Sequence, residues 1–205
     1  GGQMSHLIIS IMVFVTVIVV HELAHGWAAF MMGDPTAKYA GRLSINPLVH
    51  LDPIGSVLLP AILVVTGSPV VFGWAKPVPV NPGNFQDPRK GMLLTSLAGP
   101  GSNMVLAVIF ATIFKTGIFP PHSLPWTFLL YGIIISLVLG VFNLIPIPPL
   151  DGGGIVSSIL PPDLAVKYMR IERYGFLILM ALLYLGLFDG VIFPLVRVLT
   201  RALTT

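Results

Sequence analysis

Two histidines four residues apart, with a glutamate beside the first, stand in the run His21-Glu22-Leu23-Ala24-His25. In a helix, residues i and i+4 lie on one face, one turn above each other. Both imidazoles can therefore aim a nitrogen at one ion, and zinc suits two imidazoles and an oxygen ligand. Glu22 stands where a carboxylate can take a proton from water that the ion activates. Two histidines and a water leave a tetrahedral centre one protein ligand short. The chain holds eight carboxylates: Glu22, Asp34, Asp52, Asp87, Asp151, Asp163, Glu172 and Asp189. Asp151 has the best setting, after a long apolar run and before Gly152-Gly153-Gly154, where the backbone can turn tightly beside an ion or a substrate strand. A plain Asp-Gly turn is the alternative, and Asp52 with His50 is a rival ligand pair.

Further polar groups sit in apolar surroundings. Asn143 lies eight residues before Asp151, near the end of an apolar run, where an amide can bond a peptide carbonyl or an oxyanion; an interhelical packing bond is the alternative. Asn103, in Gly99-Pro100-Gly101-Ser102-Asn103, either braces the site or serves a helix contact, and the two glycines permit close helix approach. His6 and His122 lie at segment edges and read as solvated, and Asp189 reads as a break or interface residue.

The elements that must position these groups are membrane helices. Only 9% of the 205 residues are charged and the mean hydropathy is +0.93, against about 25% charged residues in an ordinary soluble domain. Burying a glutamate and two histidines in lipid is costly and by default functional. Apolar spans run from Leu7 to Met32, Met92 to Phe119 and Leu124 to Ile145. Ile54 to Phe72 is apolar but broken by Gly55, Pro60, Gly67 and Pro69, so it reads as a spanning helix or a re-entrant hairpin. Residues 33 to 53 allow short strand-like pieces. Residues 73 to 91, rich in Pro and Gly from Gly73 to Pro82, read as an extended, rigid connection near the interface, with Trp74 at headgroup depth. Tyr174 to Leu199, interrupted at Asp189-Gly190, is one tilted span or two shorter pieces. The expected fold is an all-α polytopic membrane protein: a helical bundle with three core spanning helices, a re-entrant or broken segment and one or two C-terminal helices. Residues 1–205 read as a single membrane-embedded domain.

Charge and topology agree. The net charge is +3, but Lys38, Arg42, Lys76, Arg89, Lys90, Lys167, Arg170 and Arg173 are scattered through connections without aromatic interleaving. They set topology and do not line a nucleic-acid groove. No cysteine is present, which excludes disulfides and thiolate metal sites. The first apolar run lacks the basic start of a signal peptide. If the first and third clear spans run parallel, with 92–119 antiparallel to both, then His21, His25 and Asp151 share one depth. The basic connections then share one side, the cytoplasmic one by the charge rule. This requires the chain to leave and return on one side between 33 and 91.

The chain resembles the site-2 proteases, the intramembrane zinc metalloproteases. The resemblance rests on His21-Glu22-Leu23-Ala24-His25-Gly26, on Ala98-Gly99-Pro100-Gly101-Ser102-Asn103, and on Phe142-Asn143-Leu144-Ile145-Pro146-Ile147-Pro148-Pro149-Leu150-Asp151-Gly152, in that order. It covers roughly residues 8 to 160. The run Gly33-Asp34-Pro35-Thr36-Ala37 and the stretch Gly73 to Pro82 resemble the compact bacterial or archaeal branch, without PDZ or nucleotide-binding-type modules. The resemblance implies one zinc ion held by His21, His25 and Asp151, with Glu22 as general base and Asn143 holding substrate or the polarised intermediate. It implies transmembrane segments of other proteins as substrates, in regulated intramembrane proteolysis. Members often carry a basic residue soon after the Asp-Gly pair; here Gly153-Gly154 follows. The expected location is the cell membrane, multi-pass, with the active site toward the cytoplasm. The alternative is a non-proteolytic, metal-binding membrane transporter, which would show paired broken helices in symmetric halves and would not need Glu22. No such repeat is present in the sequence.

Overall fold

The computed structural model describes residues 2–58, 62, 65 and 75–205. Within them the regular secondary structure is all helical, and the short strand-like pieces that 33–53 allowed do not form. The helices are α1 (Gly2–Met31), α2 (Thr36–Tyr39), α3 (Pro88–Lys115), α4 (Leu124–Asn143), α5 (Asp151–Ile159), α6 (Pro162–Met169), α7 (Glu172–Tyr184) and α8 (Phe193–Thr204). Three of them, Met4–Met31 in α1, Pro88–Lys115 and Leu124–Asn143, are long and apolar enough to cross a membrane. Helices of 28 residues reach about 42 Å at 1.5 Å per residue, enough for a hydrocarbon core of about 30 Å with tilt.

Local chemistry sets the helix ends. At the end of α1, Gly33 takes φ +104°. Its N–H donates to the Phe30 carbonyl at 3.1 Å, and the Asp34 N–H to that of Ala29 at 2.9 Å. This is a Schellman stop, which a Cβ would strain. At the start of α3, the Asp87 carboxylate accepts from the Arg89 and Lys90 N–H groups at 3.1 Å each, with Pro88 at the first position. Ser123 caps α4 in the same manner, through the Trp126 N–H.

Helix α3 is the hub, packed on α1, α4 and α5. Its direction follows from its partners. Asn103 meets His21 while Thr95 meets His25, so α3 runs antiparallel to α1. Gly140 faces Asn103 and Gly132 faces Phe110, so α4 runs antiparallel to α3 and parallel to α1, as the ligand argument requires. Small residues allow these approaches, as expected between helices in lipid. The apolar core joins Ile9, Val13 and Val17 of α1, Ala107, Phe110 and Ala111 of α3, Leu129, Ile133 and Leu137 of α4, and Ile192 and Val196 near the C-terminus. It fills the half of the bundle away from His21.

The chain leaves α1 and returns to α3 at the same end. Asp34, directly after α1, accepts from the Asn81 N–H at 2.7 Å and the Asn84 side chain at 2.8 Å. Of the apolar stretch 54–72, a π-helical turn at Pro53–Leu58 is described; whether the rest crosses or re-enters lies outside the described residues, as does Trp74. Residues 75–81 form an extended strap without regular secondary structure. The interrupted C-terminal stretch resolves into two pieces: α7 and the segment Phe188–Thr204 are bent by 68°, with Gly186 at φ +87° at the break.

Residues 151–154, expected as a turn, open helix α5 instead. The glycines there serve close approach. A Cβ on Gly152 would come within 2.6 Å of the Ile145 carbonyl carbon, and one on Gly153 within 2.8 Å of the Pro148 Cα.

Candidate metal centre

Helix α1 presents His21 and His25 toward α3, and both are buried in the bundle. Their Nε2 atoms stand 3.0 Å apart. Asp151, the first residue of α5, completes the group: its Oδ2 lies 3.2 Å from His21 Nε2 and its Oδ1 3.2 Å from His25 Nε2. Among the described residues these three are the one group of histidine and acidic side chains close enough to share an ion. The fit to a small tetrahedral ion is direct. With metal–nitrogen bonds near 2.0–2.1 Å, neighbouring ligand atoms of a tetrahedron lie about 3.3 Å apart, close to the separations here. Two imidazoles with both Nδ1 atoms engaged elsewhere, plus a carboxylate whose buried Oδ2 has no hydrogen-bond partner, form a donor set suited to zinc.

Helix α3 holds the far side of both rings. His25 Nδ1 is 2.7 Å from the Thr95 carbonyl oxygen, and His21 Nδ1 is 3.0 Å from the Asn103 amide. Gly99 lies midway between them in sequence, and a Cβ there would stand 2.5 Å from His25 Cε1 and 2.6 Å from His21 Cε1. The missing side chain is what lets α3 press against the two rings.

Glu22 is also buried, and its Oε2 accepts the Val78 N–H at 2.9 Å. In the run Pro77-Val78-Pro79 only Val78 has an N–H to give. The strap is fixed on both sides of this contact: the Lys76 N–H donates to the His50 carbonyl at 2.9 Å, and Asn81 and Asn84 hold Asp34. Burial pushes the Asp34 carboxyl upward, but the hydrogen bonds from Asn84, Thr36 and Asn81 outweigh it and keep Asp34 below the usual carboxylate range. On α5, Arg89 reaches across from α3. Its Nε donates to the Ser158 carbonyl at 3.1 Å, and its Nη2 to those of Ile159 and Leu160 at 2.9 Å each. The Tyr168 hydroxyl of α6 donates to the Pro146 carbonyl at 2.7 Å, and burial raises its phenol above the ordinary value.

The structure thus gathers His21, His25, Asp151, Glu22 and Asn103. Asn143 is placed differently: at the end of α4, half-buried, its Nδ2 donates back to the Leu139 carbonyl at 2.9 Å. The rival pair lies apart from the cluster. Asp52 accepts from the Ile54 and Gly55 N–H groups, and His50 Nε2 bonds the Ser44 carbonyl at 2.8 Å. His6, expected to be solvated, is exposed, and its Nδ1 lies 3.0 Å from the Tyr131 hydroxyl. Sequence reasoning missed the Thr95 carbonyl and the Val78 N–H. Both are backbone groups without a side-chain signature; the isolated donor between two prolines is the one hint.

Comparison with known proteins agrees with this geometry. The profile of peptidase family M50 matches residues 120–186, which include Asn143 and Asp151. YwhC of Bacillus subtilis, named as a candidate zinc metalloprotease, is 39% identical over 95% of this chain and 87% of its own length. Rip2 of Mycolicibacterium smegmatis, named likewise, is 31% identical over 80% of this chain and 61% of its own length. MJ0392 of Methanocaldococcus jannaschii, named a zinc metalloprotease, is 26% identical over 83% of this chain and 36% of its own length. The chain thus spans most of one relative and less than two thirds of the other two. No solved structure matches it. The chain belongs to peptidase family M50, and its His21/His25/Asp151 cluster, able to hold one zinc ion, is set inside a membrane-type helical bundle.

Proposed function

We propose that this chain is a zinc-dependent intramembrane endopeptidase whose residues 1–205 act as one catalytic unit. The observation that carries the reading is the convergence of His21 Nε2, His25 Nε2 and the Asp151 carboxylate within 3.0–3.2 Å, with Glu22 on the same helix turn, inside a bundle whose outer faces are apolar. His21, His25 and Asp151 would hold the ion. Zinc, when bound, supplies Lewis acidity that makes water a nucleophile near neutral pH and polarises a carbonyl.

The remaining work falls to this chain's own groups. Glu22 takes the proton from the attacking water and delivers it to the leaving amine. One of its oxygens is held by the Val78 N–H, which leaves Oε1 for that proton. Asn143 lies eight residues before Asp151; to bond a substrate carbonyl its amide exchanges the Leu139 carbonyl for that group. The substrate class is the membrane-spanning segment of another protein. The exposed apolar side chains of α1 and α3, among them Ile11, Met12, Val105 and Ile109, suit lipid and an apolar helix alike. Such a helix must unwind locally, since its carbonyls are otherwise bonded within it. Eight of the eleven basic residues lie in the connections, short helices and first helix turns at the end of the bundle that carries the site, which supports a cytoplasmic orientation by the charge rule.

The test is Glu22→Gln in protein reconstituted with a transmembrane substrate. The expected result is unchanged zinc content with cleavage lowered by several orders of magnitude. Cleavage at the wild-type rate would refute the role given to Glu22 and favour a non-proteolytic use of the metal.

A further inference from the structure

One member of the buried cluster has no role yet. Asn103 is fully buried; its amide nitrogen stands 3.0 Å from His21 Nδ1, while its Oδ1 has no partner. The two ends of a side-chain amide have nearly the same size, so a half-turn exchanges them in the same volume. The two orientations do opposite things to His21. With Nδ2 toward the ring, Nδ1 must accept, and the hydrogen of the neutral imidazole sits on Nε2. That hydrogen would then point at Asp151 Oδ2 or His25 Nε2, 3.2 and 3.0 Å away. The cluster would close on itself as a hydrogen-bonded network. With Oδ1 toward the ring, Nδ1 carries the hydrogen and Nε2 offers a lone pair.

We propose that Asn103 is a positioning residue that uses its side-chain oxygen to accept the His21 Nδ1–H, holding the His21 Nε2 lone pair open to the ion. His25 supplies the parallel case. Its Nδ1 faces the Thr95 carbonyl at 2.7 Å, which only accepts, so His25 Nε2 is a lone pair already. Two lone pairs 3.0 Å apart with a carboxylate beside them repel until a cation lies between them. The closed alternative satisfies itself and resists metal.

The same face of α3 carries all the parts. Thr95, Gly99 and Asn103 are spaced four and four, one stripe along a helix, opposite the His21–His25 pair. The outer two positions clamp the Nδ1 atoms, and the middle one has no Cβ where the rings pass. Groups that fix the second nitrogen of a ligating histidine typically govern metal affinity by about 10- to 100-fold.

This inference rests on the zinc centre proposed above, and the test separates the two. Zinc affinity is measured by chelator competition on wild-type, Asn103→Asp and Asn103→Leu proteins in lipid nanodiscs. Asp, as the carboxylate, keeps an acceptor and has nothing to donate; Leu keeps the volume alone. The expected result is wild-type-like affinity for Asp, within about threefold, and about a 10- to 100-fold loss for Leu. Equal affinity for Leu and wild type would overturn the proposal and leave Asn103 as helix packing. An Asp variant as weak as Leu would overturn it in favour of a donor role. A second measurement needs no variant: nitrogen-15 NMR of His21 in metal-free wild-type protein. A hydrogen on Nδ1 supports the proposal and one on Nε2 overturns it, including in the case where the variants do not fold. Wild-type protein that binds no zinc would instead sink the metal-centre reading, and the NMR result would still decide the orientation.

Discussion

Gly99→Ala is the smallest change that reaches both histidines without touching either. The new methyl group would sit 2.5 Å from His25 Cε1, 2.6 Å from His21 Cε1 and closer still to His25 Nε2, where ordinary carbon contacts need about 3.5–4.0 Å. About 1 Å or more must therefore be found. The rings cannot yield it by turning, because both Nδ1 atoms are engaged by Thr95 and Asn103. Helix α3 cannot yield it by shifting, because Ala107 and Ala111 of α3 pack with Val13 and Val17 of α1, all at 2% exposure or less. Overpacking of this kind costs about 1–3 kcal/mol. Charged to the metal-bound arrangement, that is about a 5- to 150-fold weaker zinc affinity. Gly101→Ala is the matched control, since nothing lies within 4 Å of a Cβ there. The assay is zinc affinity by chelator competition, with substrate cleavage alongside. Both should fall for Gly99→Ala and stay near wild type for Gly101→Ala. A Gly99→Ala protein with wild-type affinity would refute the packing of α3 against the rings.

Two further outcomes follow from groups around the centre. Asp34 is held below the ordinary carboxylate range, so its contribution to stability is fully present above about pH 4, the value of an unfolded aspartate. That contribution is lost as pH falls through its folded value; the gap in thermal stability between wild type and Asp34→Asn should shrink as the pH drops below about 4, and a gap independent of pH would contradict the hydrogen-bonded carboxylate. Arg89 ties α3 to the last carbonyls of α5 through three hydrogen bonds, two of them exposed, so Arg89→Ala should cost about 1 kcal/mol. It should also speed zinc release by loosening the helix that begins with Asp151; Arg89→Lys should not restore it, because a single ammonium cannot span the three acceptors, and full rescue by lysine would show that charge alone suffices.

What could be read in advance depended on whether the signal is local. His21 and His25 share a face because of the helical period, so their pairing is legible in five residues. Asp151 is 126 residues beyond His25; its setting before three glycines singled it out, but a shared depth with the histidines required the first and third spans to run parallel, the arrangement that the antiparallel pairings of α3 with α1 and α4 give. The Asp151-Gly152-Gly153-Gly154 run was legible as important but not as helical, because glycine advertises conformational freedom and is used here for its lack of volume. The clamp on His25 was not legible at all, since a backbone carbonyl has no residue type. The Asn103 clamp was half legible: a buried amide in lipid needs a partner, but which partner is a tertiary fact. Asn143 shows the converse, a recognisable side chain whose amide in this structure is turned back on its own helix.

The most direct measurement is the metal itself, in a zinc-loaded structure phased at the zinc edge or in X-ray absorption of purified protein. One zinc per chain, bound by two imidazole nitrogens and carboxylate oxygen from His21, His25 and Asp151, is the expected result, with zinc lost in Asp151→Ala. Substoichiometric zinc, or an ion held by other residues, would contradict the centre on which the proposed chemistry depends.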